Sequence, residues 1–146
     1  MPELPQAPGA YVLLVALERP LALTPPGLHG AVLGPGSFAY CGSARGPGGI
    51  RARVRRHMRD GKRPHWHIDH LTEAGCVTAV HGVPGGRECE LLDRILAVPG
   101  ATVPVPGFGS TDCRRCPAHL LRLPGKIGGD TVARWTGKTT EGTESC

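Results

Sequence analysis

Residues 40–70 read YCGSARGPGGIRARVRRHMRDGKRPHWHIDH, from Tyr40 to His70. A small-residue turn leads into an arginine-dense segment, and a histidine cluster follows it. Between Arg45 and Arg63 lie eight basic side chains and one acid, Asp60, in a chain whose total charge is only +5. The remaining residues are therefore slightly acidic. A charge this local marks a site rather than a general surface property; the bland alternative is a solvated face without a partner.

Working outward, Ser37–Gly42 (SFAYCG) alternates Phe38 and Tyr40 against Ala39 and Cys41 and reads as a strand. Upstream, Gly9–Leu17 (GAYVLLVAL) is a compact aliphatic run and reads as a buried strand. Leu21–Leu23 and Ala31–Leu33 are short strand candidates separated by Pro/Gly turns. Downstream, Ile50–Arg59 predicts a helix, with Ile50 and Val54 on one side and Arg51, Arg55, Arg56 and Arg59 largely on the others. Gly61 stands at its expected C-cap. HWHIDHLTEA (65–74) is ambiguous and is expected to begin as turn and strand. Cys76–Val83 alternates as a strand, and Arg87–Val98 predicts a second helix with an apolar stripe of Cys89, Leu92, Ile95 and Leu96. The pattern predicts an α/β fold, a small central antiparallel sheet of about three strands flanked by helices, over residues 9–124. Residues 1–8 and 125–146 are expected to be flexible ends.

The totals bound the function. At 146 residues the chain holds one domain and one core. Gly 22 and Pro 15 imply many turns and short elements. A pI near 9.1 points to a polyanion, nucleic acid before membrane surface. No apolar run reaches the roughly 18 residues of a membrane span, and the N-terminus lacks the basic region of a secretory signal. A cytoplasmic location is expected, and with it six reduced or metal-bound cysteines at positions 41, 76, 89, 113, 116 and 146.

Three constellations carry chemistry. The first joins Tyr11 and Tyr40 on strands, Arg53 and His57 at i, i+4 on one helix face, and Glu88 opening a later helix. Each alone is ordinary; a strand tyrosine is usually a packed side chain. Together they suit metal-assisted phosphodiester hydrolysis. A carboxylate binds Mg²⁺, a guanidinium neutralises the scissile phosphate, and a phenol or imidazole handles the water proton.

These residues resemble the GIY-YIG nuclease superfamily, and more closely its subgroup of small Uri-type endonucleases, described also as an uncharacterised GIY-YIG-like domain. The segments that carry the resemblance are GAY, YCGSARGPGGIRARVRRH, HWHIDHL, REC and GFGSTDCRRCPAHL, spanning about residues 9–123. The resemblance implies a three-stranded antiparallel sheet flanked by helices, with Tyr11 and Tyr40 lining the site. It implies Arg53 on the scissile phosphate, Glu88 as ligand of one Mg²⁺ (or Mn²⁺), His57 at a catalytic-site position, and Tyr11 as the favoured water-activating base. An unperturbed tyrosine has a pKa near 10, so that role needs the metal or an arginine to favour the phenolate. Ala10 replaces the usual isoleucine, and Cys41 also departs from the pattern. The segment between the motifs is longer than usual and must hold an extra hairpin or loop. Glu90 is an alternative to Glu88, which is preferred for its place in the helix's first turn.

The second constellation is His65-Trp66-His67-Ile68-Asp69-His70. As a strand it puts His65, His67 and Asp69 on one face, as metal chelate, acid–base pair or structural network. The resemblance places His65, His67 and Asp69 beside the site as supporting residues. Trp66 is core or a base-stacking platform, core being preferred. The third is Cys113-x-x-Cys116 with His119, three candidate ligands of a structural Zn²⁺, with Cys89, His65, His67 or Cys76 as the fourth. A buried cysteine pair or a redox dithiol is the alternative. GPGG (46–49) before a helix resembles a phosphate-cradling loop, or is simply a turn.

The resulting expectation is a metal-dependent endonuclease acting on DNA, or on RNA, with no membrane partner. Arg45, Arg51, Arg55, Arg56 and Arg59 are expected to grip the nucleic-acid backbone. The first rival is a catalytically silent nucleic-acid-binding module on the same fold, stabilised by zinc; the second is a redox or metal-handling protein built on the CxxC and histidines.

Overall fold

A computed structural model describes residues 4–28, 30–59, 66–110 and 115–125. The order is β1 (Gly9–Leu17), β2 (Leu21–Ala22), β3 (Val32–Leu33), β4 (Gly36–Ala44), α1 (Gly49–Met58), α2 (His67–Ala74), β5 (Cys76–Pro84), α3 (Glu88–Leu96) and β6 (Leu120–Leu123). The fold is α/β: one antiparallel sheet in the order β5-β1-β4-β6, three helices, and a two-stranded β2-β3 ribbon.

The sheet has four strands rather than three. LLRL pairs with β4, from Ser37↔Leu123 to Tyr40↔Leu120, because three of its four residues are buried and need a covered edge. The long segment between the tyrosine strands does contain the extra hairpin, as β2 pairs with β3.

β1 is the central strand, buried along nearly its whole length. Its alternation divides the core in two. Tyr11, Leu13, Val15 and Leu17 pack with Phe38, Tyr40, Ile50, Val54, Ile68 and Leu71, beneath α1 and α2. Ala10, Val12 and Leu14 pack with Ala39, Cys41, Leu91, Leu92 and Ile95, against α3. Ala10 and Cys41 thus both lie on the α3 face.

Residues 67–74 form a helix, so the expected strand-like beginning is overturned. The polar–apolar alternation of HWHID is too short to specify a strand. Asp69 decides the matter: its Oδ2 accepts from the Trp66 backbone N–H at 2.8 Å, while its own N–H donates to the Trp66 carbonyl at 3.0 Å. This is reciprocal capping of a helix start, with Ile68 and Leu71 buried at helical spacing.

Within the N-terminal segment, residues 4–8 make contacts with α1. Leu4 is buried. The carbonyls of Ala7 and Pro5 accept from the backbone N–H groups of Ile50 and Arg51, at 3.1 and 3.0 Å. Those amides open α1, so the GPGG turn does not offer them to a phosphate. The expected C-cap Gly61 and, beyond Gly125, the expected tail 125–146 lie outside the described residues. Among the described residues, no helix is long and apolar enough to cross a membrane.

Candidate functional site

A cavity of about 360 Å³ opens where β1 begins and β4 ends. Tyr11, Tyr40, Arg53, His57 and Glu88 all line it. Five residues spread over β1, β4, α1 and α3 therefore share one concave wall. Ser43, Arg45, Trp66, Gly109 and His119 complete much of the lining.

The sheet register places the tyrosines. Tyr11 pairs with Gly42, and Leu13 with Tyr40, so both rings project on the α1 face two residues apart, with centroids 6.4 Å from each other. Gly42 is needed for this approach. A Cβ there would lie 2.3 Å from both Cζ and Oη of Tyr11. Gly109, at φ +72°, plays a similar part over Tyr40, whose Cε1 would be 2.9 Å from an added Cβ.

The i, i+4 spacing of α1 aims Arg53 and His57 into the cavity. His57 is buried, and its Nε2 lies 2.6 Å from the Tyr11 hydroxyl. Burial lowers the His57 pKa, opposed by Asp69 and reinforced by Arg56 and Arg53. Burial raises the Tyr11 pKa well above 10, with Tyr40 adding to it and Arg53 and Arg56 only partly offsetting it. Tyr40 is likewise raised, chiefly by burial. Both groups of the pair are therefore neutral at pH 7. In the tautomer with the imidazole proton on Nδ1, which lies 3.9 Å from Asp69 Oδ1, the phenol donates to Nε2. The protein alone therefore favours the phenol, and the metal or an arginine is still needed to favour the phenolate.

Asp69 stands behind this pair. Its fully buried carboxylate receives both guanidinium nitrogens of Arg56 at 2.9 Å. That ion pair raises the Arg56 pKa. Trp66 is half-buried, and both Arg53 and Arg56 stack over its ring, at 4.7 and 4.0 Å from the centroid. Trp66 thus aligns two arginines. Its stacking role is visible only in three dimensions, since Arg53 and Arg56 precede it across a connection that no helical spacing relates.

The arginines expected to grip nucleic acid divide. Arg45, Arg55 and Arg59 are exposed. Arg51 donates through Nε to the Leu4 carbonyl at 2.7 Å, and Arg56 is committed to Asp69. His67 accepts at Nδ1 from the Gly109 N–H at 2.8 Å, and so holds the loop whose Gly109 lies against Tyr40. Its pKa is lowered by burial and by His70. His65 lies outside the described residues. Glu88 lines the cavity, whereas Glu90 is exposed and does not.

On the α3 side, the ligand atoms of Cys89, Cys116 and His119 all lie within 4.8 Å of one another, a group able to hold a metal ion. Cys113 lies outside the described residues. Cys76 is disulfide-bonded, which corrects the expectation of reduced cysteines throughout and removes it from the ligand set. In the sequence Cys89 is only one of four choices for a further ligand. Its place on the apolar stripe of α3 gives no sign that it faces residues 116–119.

No curated protein and no solved structure matches the chain. A family model described as a domain of unknown function, DUF123, matches residues 10–134. The match takes in both tyrosine strands, the arginine helix, α3 and the Cys/His segment, and the chain belongs to the DUF123 domain family.

Proposed function

We propose that the protein is a metal-dependent endonuclease of GIY-YIG type that hydrolyses phosphodiester bonds in DNA. The observation that carries this reading is the single cavity shared by Tyr11, Tyr40, Arg53, His57 and Glu88. Convergence of one carboxylate, one guanidinium, two phenols and one neutral imidazole supports phosphodiester chemistry better than a redox or purely structural role. The resemblance of the GAY, YCG, R-x-x-x-H and REC segments to that superfamily supports it further.

The donor set fits the metal. Mg²⁺ takes oxygen ligands and keeps several waters, so one carboxylate suffices to anchor it; Glu88 is the cavity's only carboxylate among the described residues. When bound, the ion supplies Lewis-acid stabilisation of charge on the phosphate oxygens. Arg53 sets its guanidinium against the same phosphate and stabilises the charge of the five-coordinate transition state. Tyr11 receives a proton from the attacking water as its own passes to His57 Nε2, which burial keeps neutral and ready. Asp69 then faces the imidazolium formed. The water oxygen bonds to phosphorus, the ester oxygen leaves, and the leaving oxygen takes up a proton. Tyr40 closes the wall beside Tyr11. Exposed Arg45, Arg55 and Arg59 extend the positive surface along which a polyanionic backbone lies.

The test is incubation with supercoiled, branched and single-stranded DNA in Mg²⁺ or Mn²⁺, beside Glu88→Ala and Arg53→Ala. Cleavage by wild type and its loss in both variants is expected. If nothing is cut, or both variants cut like wild type, the catalytic reading fails. DNA binding without cleavage favours the silent nucleic-acid-binding module.

A further inference from the structure

We infer that Cys89, Cys116 and His119 form a site for a thiophilic divalent cation, zinc, which clamps the first turn of α3 to the segment before β6. All three ligands are described residues, and the site does not rest on the nuclease reading.

The geometry requires little change to bind. The three ligand atoms lie within 4.8 Å of one another, with Cys89 Sγ 3.9 Å from His119 Nε2. Donors around a tetrahedral zinc stand about 3.4–3.8 Å apart, given bonds of about 2.0–2.3 Å. Two thiols and an imidazole select zinc over Mg²⁺, which prefers oxygen.

The backbone around the group is fixed from several directions, as a metal site needs. The His119 N–H donates to the Phe108 carbonyl at 2.8 Å, and its carbonyl accepts from the Cys41 N–H at 2.9 Å. The Pro117 carbonyl accepts from the Gly107 N–H at 2.7 Å. On α3, Cys89 and Asp93 share a face at i, i+4. Cys89 meets Cys116 and His119, and Asp93 meets Arg115 at 2.5 Å. One helix face is thus matched residue for residue to one short segment. Cys41 stands outside the group, since its thiol is not among the ligand atoms that cluster within 4.8 Å.

The placement has a consequence for the cavity. His119 lines it, and Cys89 follows Glu88 directly. A cation here fixes the turn from which Glu88 points into the cavity. It is a positioning metal, held by softer ligands than the oxygen site at Glu88.

The test uses the full chain purified under reducing conditions. Elemental analysis is expected to find about one zinc per chain, and Cys116→Ser and His119→Ala to lose most of it. Because these variants can fail to fold, wild type is stripped by chelation and titrated with Co²⁺. A thiolate-to-cobalt charge-transfer band with the visible bands of tetrahedral cobalt, displaced by Zn²⁺, is the expected signature. Alkylation mapped by mass spectrometry should show Cys89 and Cys116 reacting in the stripped protein and protected when zinc is restored. A folded wild type that takes up neither metal overturns the site, as does full metal content in both variants. A Cys89–Cys116 disulfide in the purified protein also overturns it, in favour of a redox pair.

Discussion

The Tyr11 hydroxyl lies 2.6 Å from Nε2 of His57, and both groups are buried. Burial pushes their pKa values apart, tyrosine up and histidine down, so the proton between them rests on oxygen. In the proposed reaction, a proton accepted by Tyr11 from water is matched by one passed to His57. His57→Ala and Tyr11→Phe should each lower cleavage by about 10²–10⁴, the usual weight of general-base assistance. Because the two act in series, the double variant should cut about as well as the worse single one. Single-turnover rates on one DNA substrate check this.

The same pair predicts the pH dependence. His57 must be neutral to accept the proton, and its pKa is depressed below the ordinary 6.5. Activity should hold at neutral pH and fall below pH 6.5. Stability follows the same sign. The unfolded chain binds protons below about pH 6.5 that folded His57, His67 and His81 resist. The contribution is fully present above that value and lost as pH falls toward the depressed folded values. Thermal midpoints measured from pH 7.5 down to pH 5 should decline, with a shallower decline in His57→Gln.

Gly42 carries the tightest steric condition at the site. Gly42→Ala puts a methyl 2.3 Å from the Tyr11 ring and hydroxyl. We expect a destabilisation of about 1–3 kcal/mol, as for other overpacked sites, together with disruption of the Tyr11–His57 hydrogen bond. Gly46→Ala, where an added Cβ meets nothing within 4 Å, is the control for packing and should leave stability near wild type. Urea unfolding with equal slopes in the two variants makes the comparison.

Arg56 and Asp69 form a bidentate pair whose carboxylate is fully buried. Arg56→Ala strands that charge and should cost about 3 kcal/mol, the low end for a broken buried pair because Arg56 keeps some exposure to water. Asp69→Ala also removes the cap on α2. The double variant should cost clearly less than the two single losses together, which a double-mutant cycle by urea unfolding measures.

Exposed Arg45 and Arg55 should act through binding. Arg45→Ala with Arg55→Ala should lower the slope of log affinity against log salt by up to about 1.8, roughly 0.9 for each phosphate no longer neutralised. Arg51→Ala, whose side chain holds the Leu4 carbonyl, should instead lower thermal stability and leave the salt slope nearly intact. Fluorescence anisotropy across a salt series separates the two effects.

Local pattern by itself determined the strands around Tyr11 and Tyr40 and the helices over 49–58 and 88–96; between hairpin and loop for the segment joining the tyrosine strands, the structure decided. Those strands and helices rest on periodicity and turn residues within a dozen positions. The same local reading failed at HWHID, where a cap formed by Asp69 outweighed a five-residue alternation. It could not see the hydrogen bonds of residues 4–8, whose partners are amides of α1 more than forty residues away. It named Tyr11, Tyr40, Arg53, His57 and Glu88 as candidates from their types and from the resemblance, and the structure brings all five to one cavity. Only the tertiary structure decided which residues meet: that Tyr11 bonds His57, that Arg56 belongs to Asp69, and that Cys89 faces Cys116 and His119. Those meetings depend on how the two faces of β1 receive α1 and α3. Burial there also sets the pKa shifts, which no spacing along the chain contains.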